Sequence, residues 1–368
     1  MLIYHYGSLN ALEGGPAYST AFSILAAQKY GHICEILSRP LPSNGKLLTD
    51  KIKIHYLSST CTELKKLPLP DVYHIQGLWH PQGHYVCSWA QKHKVPYVIA
   101  LRGMLYPQAL HNGSYWKKWL ALHLFQQKDL QNAACIQATC TQEMEYYREL
   151  SFTNPVAIVP NAVKIPEKFP ELPDRGDTFT VGYLGRLHPR KQVEQLIYAI
   201  ASPKLKALHC RLYIIGKGEP EYEKFLRMEV QRLNLDNVVF PGFLVGEEKT
   251  AMLRRLSILA VPSDFENFGN IIPEALMQGI PVMASRGTPW QELENFHCGW
   301  WFHNTPDEIV RIIAEAAQMS PETLRQWGRN GQQLLKERYS EERHGVLLDE
   351  MYQWVAHCGA KPSHVFLQ

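Results

Sequence analysis

The sequence predicts an α/β protein built from two doubly wound parallel domains, and three observations carry that reading. Apolar runs of strand length alternate with helical patterns twice along the chain, once before Val163 and once after Thr178. That order gives parallel sheets with helices on both faces. Between the two runs, VKIPEKFPELPDRGDT packs three prolines, a glycine and several charges into sixteen residues, the composition of a linker. The length of 368 residues suits two domains of ordinary size.

In the first run, LIYHY is a short strand that leads into the turn-rich loop SLNALEGGPA. A helical pattern begins near Tyr18, with Phe22, Leu25 and Ala26 at helical spacing. DVYHIQGLW and VPYVIALRGM are further strands with loops at their ends; ACIQATC, the helical TQEMEYYREL and AIVPN follow. Within this half, HNGSYWKKWLALHLFQQK sets Trp116, Trp119, Leu120 and His123 on one helical face beside Lys117 and Lys118. The expectation is a helix packed inside the first domain; a membrane-touching amphipathic patch is the alternative. In the second run, FTVGYLGRL enters a glycine turn, and KQVEQLIYAIAS is a helix with Val193, Leu196, Ile197 and Ile200 inward. RLYIIGKGE, NVVFPGF, ILAVPS and PVMAS read as strands; EYEKFLRMEVQRLNL, EEKTAMLRRL and the segment from Pro306 to Glu342 read as helices. The expected division is 1–165, a linker at 166–178, 179–345, and a tail at 346–368 that returns to the first domain.

Composition narrows the function. Hydrophobic residues at 45% and charged residues at 20% describe a soluble globular protein, and the net charge of +3 is mild. No long basic run or nucleic-acid-binding motif is present, so nucleic acid is not an expected partner. MLIYHYGS lacks the features of a signal peptide, and no apolar run is long enough to span a bilayer, which leads to a cytoplasmic expectation. The eight cysteines are scattered without a CxxC, so they are expected as reduced core thiols, with no metal site.

Ligands of doubly wound sheets bind beyond the carboxyl ends of the strands. That rule selects Gly14–Pro16, Gly77–His80, Arg102–Leu105, Gly185–Lys191, Gly216–Glu219 and the stretch FENFGNIIPEA. In the last, Glu266 leads the loop and Pro273 is expected to open a short helix, PEALMQ, that Gly279 closes. The helix N-terminus and loop amides suit a diphosphate or sugar hydroxyls, and Glu274 suits a cis-diol. On spacing alone, Glu274 is equally read as a complement to the helix dipole and Glu266 as a solvated side chain. In GRLHPRK, Arg186 and Lys191 flank a helix start, an electropositive spot that fits phosphate oxygens or a solvated basic turn. Trp79, His80 and Arg102, at strand exits, offer an aromatic and polar floor for a sugar; packing is the plain reading of Trp79. GKGE at Gly216 lacks the Walker pattern.

Glu266 and Glu274 within ENFGNIIPEALMQGIPVMAS, with GRLHPRK, GKGE, VPNAV and GTPW in their order and spacing, resemble the retaining glycosyltransferases of family 4 with the GT-B fold. RGML and GLWHP are similar to a bacterial surface-polysaccharide subgroup. The resemblance implies two Rossmann-like domains facing across a cleft. It implies a UDP- or GDP-linked sugar donor, and a saccharide or lipid-linked oligosaccharide acceptor received by the first-half loops. It also implies no cofactor or metal, and peripheral contact with the inner membrane. By this resemblance Glu274 binds the donor ribose, and Glu266 with the amides of Phe268, Gly269 and Asn270 holds the donor sugar. Arg186 and Lys191 neutralise the leaving diphosphate, Gly15 gives it an amide, and Trp79, His80 and Arg102 lie toward the acceptor or donor sugar. The chain departs from the family in Gln76, where a histidine is common, and in Ala162, where glycine is usual. A nucleotide-sugar 2-epimerase of the same architecture and a non-catalytic sugar-binding protein are the competing readings.

Overall fold

A computed structural model describes residues 1–111, 115–172 and 178–367. Its strands are β1 (Leu2–Tyr6), β2 (Ile33–Ser38), β3 (Ile54–Tyr56), β4 (Val72–Gln76), β5 (Tyr97–Ala100), β6 (Cys135–Ala138), β7 (Val156–Ile158), β8 (Thr180–Leu184), β9 (Arg211–Ile215), β10 (Val238–Gly242), β11 (Ile258–Val261), β12 (Val282–Ser285), β13 (Gly299–Phe302) and β14 (Val365–Phe366). They form two sheets, β14-β7-β6-β5-β4-β1-β2-β3 and β10-β9-β8-β11-β12-β13. Every pairing is parallel except β14 on β7. The chain divides into two compact units, Met1–Lys164 with Arg338–Gln368, and Ile165–Glu337.

In the first unit the two-residue period of the strands sorts side chains onto opposite faces. Tyr73, Ile75, Tyr97, Ile99 and Ile136 enter one apolar cluster, while Ile3, Val72, Val98 and Cys135 enter another. The second cluster is closed by the helix Gly15–Lys29 and by the helix Glu341–Val355, through Leu347, Leu348, Met351, Tyr352 and Val355. The expected boundary at 345 therefore lies inside a helix that packs wholly on the first unit, and the chain has already re-entered that unit at Arg338. Gly345 permits the approach: a Cβ there would lie 2.4 Å from the ring of Tyr30.

The same face carries polar residues at the strand ends. His5, His74, Gln76 and Gln137 are buried there, and burial obliges such groups to find partners. His74 Nδ1 and Tyr352 Oη are 2.6 Å apart, and Gln76 Nε2 donates to His5 Nδ1 at 3.2 Å. His344 Nδ1 donates to the carbonyl of Pro160 at 2.8 Å, and its Nε2 accepts from Ser23 Oγ at 3.0 Å. Burial holds His5 down at about 3 and His344 at about 4, so both are neutral at pH 7.

Two expectations are corrected here. The Trp116 face is not packed inside: the helices Tyr115–Ala121 and Gln127–Gln131 and the π-turn Leu122–Gln126 between them turn Trp116, Trp119, Leu120 and Leu124 outward. Leu122, Phe125, Gln126, Asp129 and Leu130 face the unit. Of the cysteines, Cys358 is exposed and Cys140 half-buried; the other six are core thiols.

In the second unit one face of a six-stranded sheet meets a core in which Leu196, Ile197 and Ile200 of Glu194–Ile200 pack with Val181, Leu212 and Ile258, and Leu259, Val261, Val282 and Ala284 are buried on the other face. The segment from Pro306 to Glu342 is not one helix. It breaks at Met319–Ser320 and again at Tyr339–Ser340, each break followed by a new first turn.

Candidate active site

The chemistry-bearing side chains of the second unit sit on the loops that leave β8, β9, β11 and β12. The loop after β8 runs through a 3₁₀ turn, Pro189–Lys191, whose start is capped by His188 Nδ1 accepting from the Arg190 N–H at 3.1 Å. Gln192, in the left-handed region at φ 48°, ends the turn. This fixes the direction of Lys191, whose ammonium forms an ion pair with Glu266. Ser263 Oγ donates to the same carboxylate oxygen at 2.9 Å. The Glu266 loop is fastened by the Asp264 N–H to Arg190 O at 2.9 Å and the Glu266 N–H to Gly287 O at 2.8 Å. Gly287 is required by that approach, because a Cβ would lie 2.1 Å from the Asp264 carbonyl oxygen. Lys191 and Glu266, far apart in sequence, are thus brought together, and two of the three ammonium donors stay available.

Phe268 is buried against Trp290, whose indole N–H donates to the Phe268 carbonyl. Trp290, of the GTPW motif, is fully buried and thereby sets the loop that follows Glu266. Gly269 stands at φ +74°, and among the described residues its N–H and that of Asn270 meet no acceptor. The following helix is Ile271–Met277, so Pro273 is its third residue and not its first. The substitution of position costs nothing, since the third N–H is also without an intrahelical acceptor. The helix ends as expected at Gly279: its N–H reaches Leu276 O at 2.9 Å and the Ile280 N–H reaches Ala275 O at 3.0 Å, a Schellman closure.

Glu274 does not join Lys191. It pairs with Lys249 Nζ at 2.8 Å, on the helix Gly246–Arg254, beside an open groove lined by Gly246, Lys249, Thr250 and Arg254. Arg186 is 69% exposed, and its nearest carboxylate is Glu219 at 3.9 Å, which also takes His188 at 3.3 Å. GKGE holds that loop in place: a Cβ at Gly216 would lie 1.9 Å from Gly185 O and one at Gly218 would lie 1.7 Å from Leu187 O. Its glycines serve backbone contact between two loops. Glu219 lies in a loop that the sequence marked, whereas Lys249 and Ser263 were not marked. Ser263 had a faint signal in its place three residues before Glu266; Lys249 had none.

In the first unit, Gly15 is exposed at the first turn of Gly15–Lys29, and a Cβ on it would meet nothing within 4 Å. Trp79 is half-buried against the apolar cluster at φ +72°, its N–H donating to Gln126 Oε1 at 2.9 Å. His80 precedes the helix Pro81–His93, and burial lowers its pKa. Arg102 is buried at the exit of β5. It is 7% exposed and donates to Gln76 Oε1 at 2.6 Å and 3.1 Å and to Asn161 Oδ1 at 2.8 Å. Desolvation lowers its pKa to about 10, so it remains a cation at neutral pH. Gln76, where a histidine was expected, is the amide that joins Arg102 to His5.

Comparisons with known proteins agree with this layout. Residues 164–334 match the family model of glycosyl transferases group 1, and residues 34–162 match a glycosyl transferase 4-like domain. The chain is 33% identical over 147 residues to the GDP-mannose-dependent alpha-mannosyltransferase of Mycolicibacterium smegmatis, covering 37% of this chain and 35% of that protein. Its matched stretch spans about a third of the length of the first curated relatives. Anabaena HepE in complex with UDP and glucose superposes with a TM-score of 0.68 at 18% identity, over 96% of this chain and 100% of that one. The lipopolysaccharide outer core galactosyltransferase WaaB does so at 0.69 and 16%, over 95% and 98%. At these identities the structures speak for the fold. The chain thus carries a glycosyl transferase 4-like domain followed by a glycosyl transferases group 1 domain, in the fold of the GT-B glycosyltransferases.

Proposed function

We propose that the protein is a retaining, metal-independent glycosyltransferase that moves a sugar from a nucleotide-sugar donor to a saccharide acceptor. The acceptor we assign is lipid-linked, in bacterial surface-polysaccharide synthesis at the cytoplasmic face of the inner membrane. The observation that carries the reading is the Lys191–Glu266 pair, held by Ser263 beside the amides of Gly269 and Asn270, which meet no acceptor among the described residues. Arg186, exposed on its loop, and Lys191 meet the negative charge that grows on the diphosphate as the C1–O bond breaks. Glu266 and the two amides position the sugar, and Glu274, oriented by Lys249, accepts from the ribose hydroxyls. The acceptor oxygen bonds to C1 from the face the diphosphate leaves, and a departing phosphate oxygen takes its proton. The acceptor is assigned to the first unit. HepE holding UDP and glucose supports the donor class, and WaaB the pathway.

A thermal-shift screen with UDP, GDP, ADP and their sugars tests the donor, because a ligand bound only by the native state raises Tm. One nucleotide series is expected to raise Tm by several degrees; no shift with any would contradict the donor site. Incubation of the selected donor without acceptor separates the epimerase reading, which would yield an isomerised nucleotide sugar. Binding with neither transfer nor donor hydrolysis would favour a non-catalytic protein.

A further inference from the structure

Lys191 and Ser263 both bond Glu266, yet they follow different strands, β8 and β11. The distance between those two strand exits has to be set, and Asn304 sets it from a third strand. It stands just beyond β13, before Thr305, which caps the helix Pro306–Gln318. Its Nδ2 donates to Gln192 Oε1 at 2.7 Å and to the Pro262 carbonyl at 2.6 Å. Gln192 is the chain neighbour of Lys191, and Pro262 is the chain neighbour of Ser263. In the sheet β12 lies between β13 and β11, with β8 beyond β11, so this one amide reaches across the strand ends.

The chemistry of the side chain suits the task. A carbonyl can only accept, so Pro262 fixes which end of the amide faces it. The amide nitrogen carries two hydrogens, one for each acceptor. An aspartate at this position could donate to neither, and an alanine would reach neither. Gln192 is held at φ 48° and ψ 42°, a left-handed conformation that a residue with a Cβ adopts at a cost. Its bond to Asn304 helps to hold it there, and Lys191 takes its direction from that turn. Among the described residues no hydrogen bond joins Asn304 to Lys191 or Glu266 directly, so it acts through their neighbours.

We infer that Asn304 is a positioning residue of the transfer reaction, a strut that holds the exits of β8 and β11 where Lys191 and Ser263 meet on Glu266. Its part in turnover rests on the function proposed for Lys191; the strut itself does not. Two measurements on Asn304→Ala, Lys191→Ala and the double variant test it. The first is thermal unfolding: the Tm shift caused by Asn304→Ala should be clearly smaller in the Lys191→Ala background than in the wild type, because coupled sites do not add. The second is nucleoside diphosphate release from the donor that the thermal-shift screen selects. Asn304→Ala is expected to lower kcat about tenfold or more, as a misplaced group does, with the donor KM within about threefold because the Glu274 side is untouched. In the Lys191→Ala background the same change should cost less than about threefold. Gln192→Gly keeps the left-handed turn and removes only one acceptor; it should lower kcat in the same direction, and it replaces Asn304→Ala if that variant does not fold. Equal Tm shifts in the two backgrounds would overturn the inference. So would a rise in KM alone, or a kcat within about threefold of the wild type where Lys191→Ala is impaired. A Lys191→Ala as active as the wild type would contradict the transfer reading instead, and the Tm comparison would then decide the strut by itself.

Discussion

At the scale of single residues, two ion pairs divide the work that the paired-glutamate loop suggested. Lys191 with Glu266 and Lys249 with Glu274 are separate ion pairs. Glu274→Ala is expected to weaken nucleotide binding about tenfold to a hundredfold, the worth of hydrogen bonds to a charged group, as read by calorimetry. Unchanged affinity would remove the ribose role. Lys191 and Glu266 were legible because their chemistry is local to a glycine turn and a strand exit. Lys249 was not, since it lies within a helix and away from a strand exit, and nothing in the sequence marks Asn161 as the partner of Arg102. The buried histidines add a pH dependence. His5 and His344 bind a proton near pH 6.5 when unfolded but only near 3 and 4 when folded, so the unfolded state binds more protons between those values. Stability is full above about pH 6.5 and falls as the pH drops toward 4, by up to about 1.4 kcal/mol per pH unit for each histidine. Denaturant titrations at pH 7, 6 and 5 should show that decline, with a shallower slope in His344→Gln; a flat profile would contradict it.

At the scale of elements, glycines and one helix carry more than their sequence signal suggests. Gly218→Ala would force apart the loops after β8 and β9 at Leu187 O. It is expected to displace Arg186 and to reduce turnover, while the second unit, whose core lies beneath, stays folded by circular dichroism. The helix Glu341–Val355 closes one face of the first sheet, so Leu348→Ala should cost about 2–5 kcal/mol in denaturant unfolding. The strands were legible as apolar runs because both faces of a parallel sheet are buried. The helix after the Glu266 loop was legible in kind but not in its first residue, because proline is tolerated anywhere in a first turn. The outward turn of Trp116 was missed: an apolar stripe at helical spacing reads the same whether it meets a core or solvent.

At the scale of the whole molecule, two parallel sheets in sequence order were legible from the alternation of strands and helices around a proline-rich break. The return of Arg338–Gln368 to the first unit was expected, but its start was placed within a helix, since nothing local distinguishes that helix from the ones before it. On the proposed function, this architecture supports sugar transfer by letting Lys191 and Arg186 stabilise a leaving diphosphate. The most direct test is the rate of nucleoside diphosphate release from the donor chosen by the thermal-shift screen, compared between wild type and Lys191→Ala. The expected loss is about a hundredfold to a thousandfold, the scale of removing one contact that strengthens in the transition state, with the fold retained by circular dichroism. Turnover within about threefold of the wild type would contradict it.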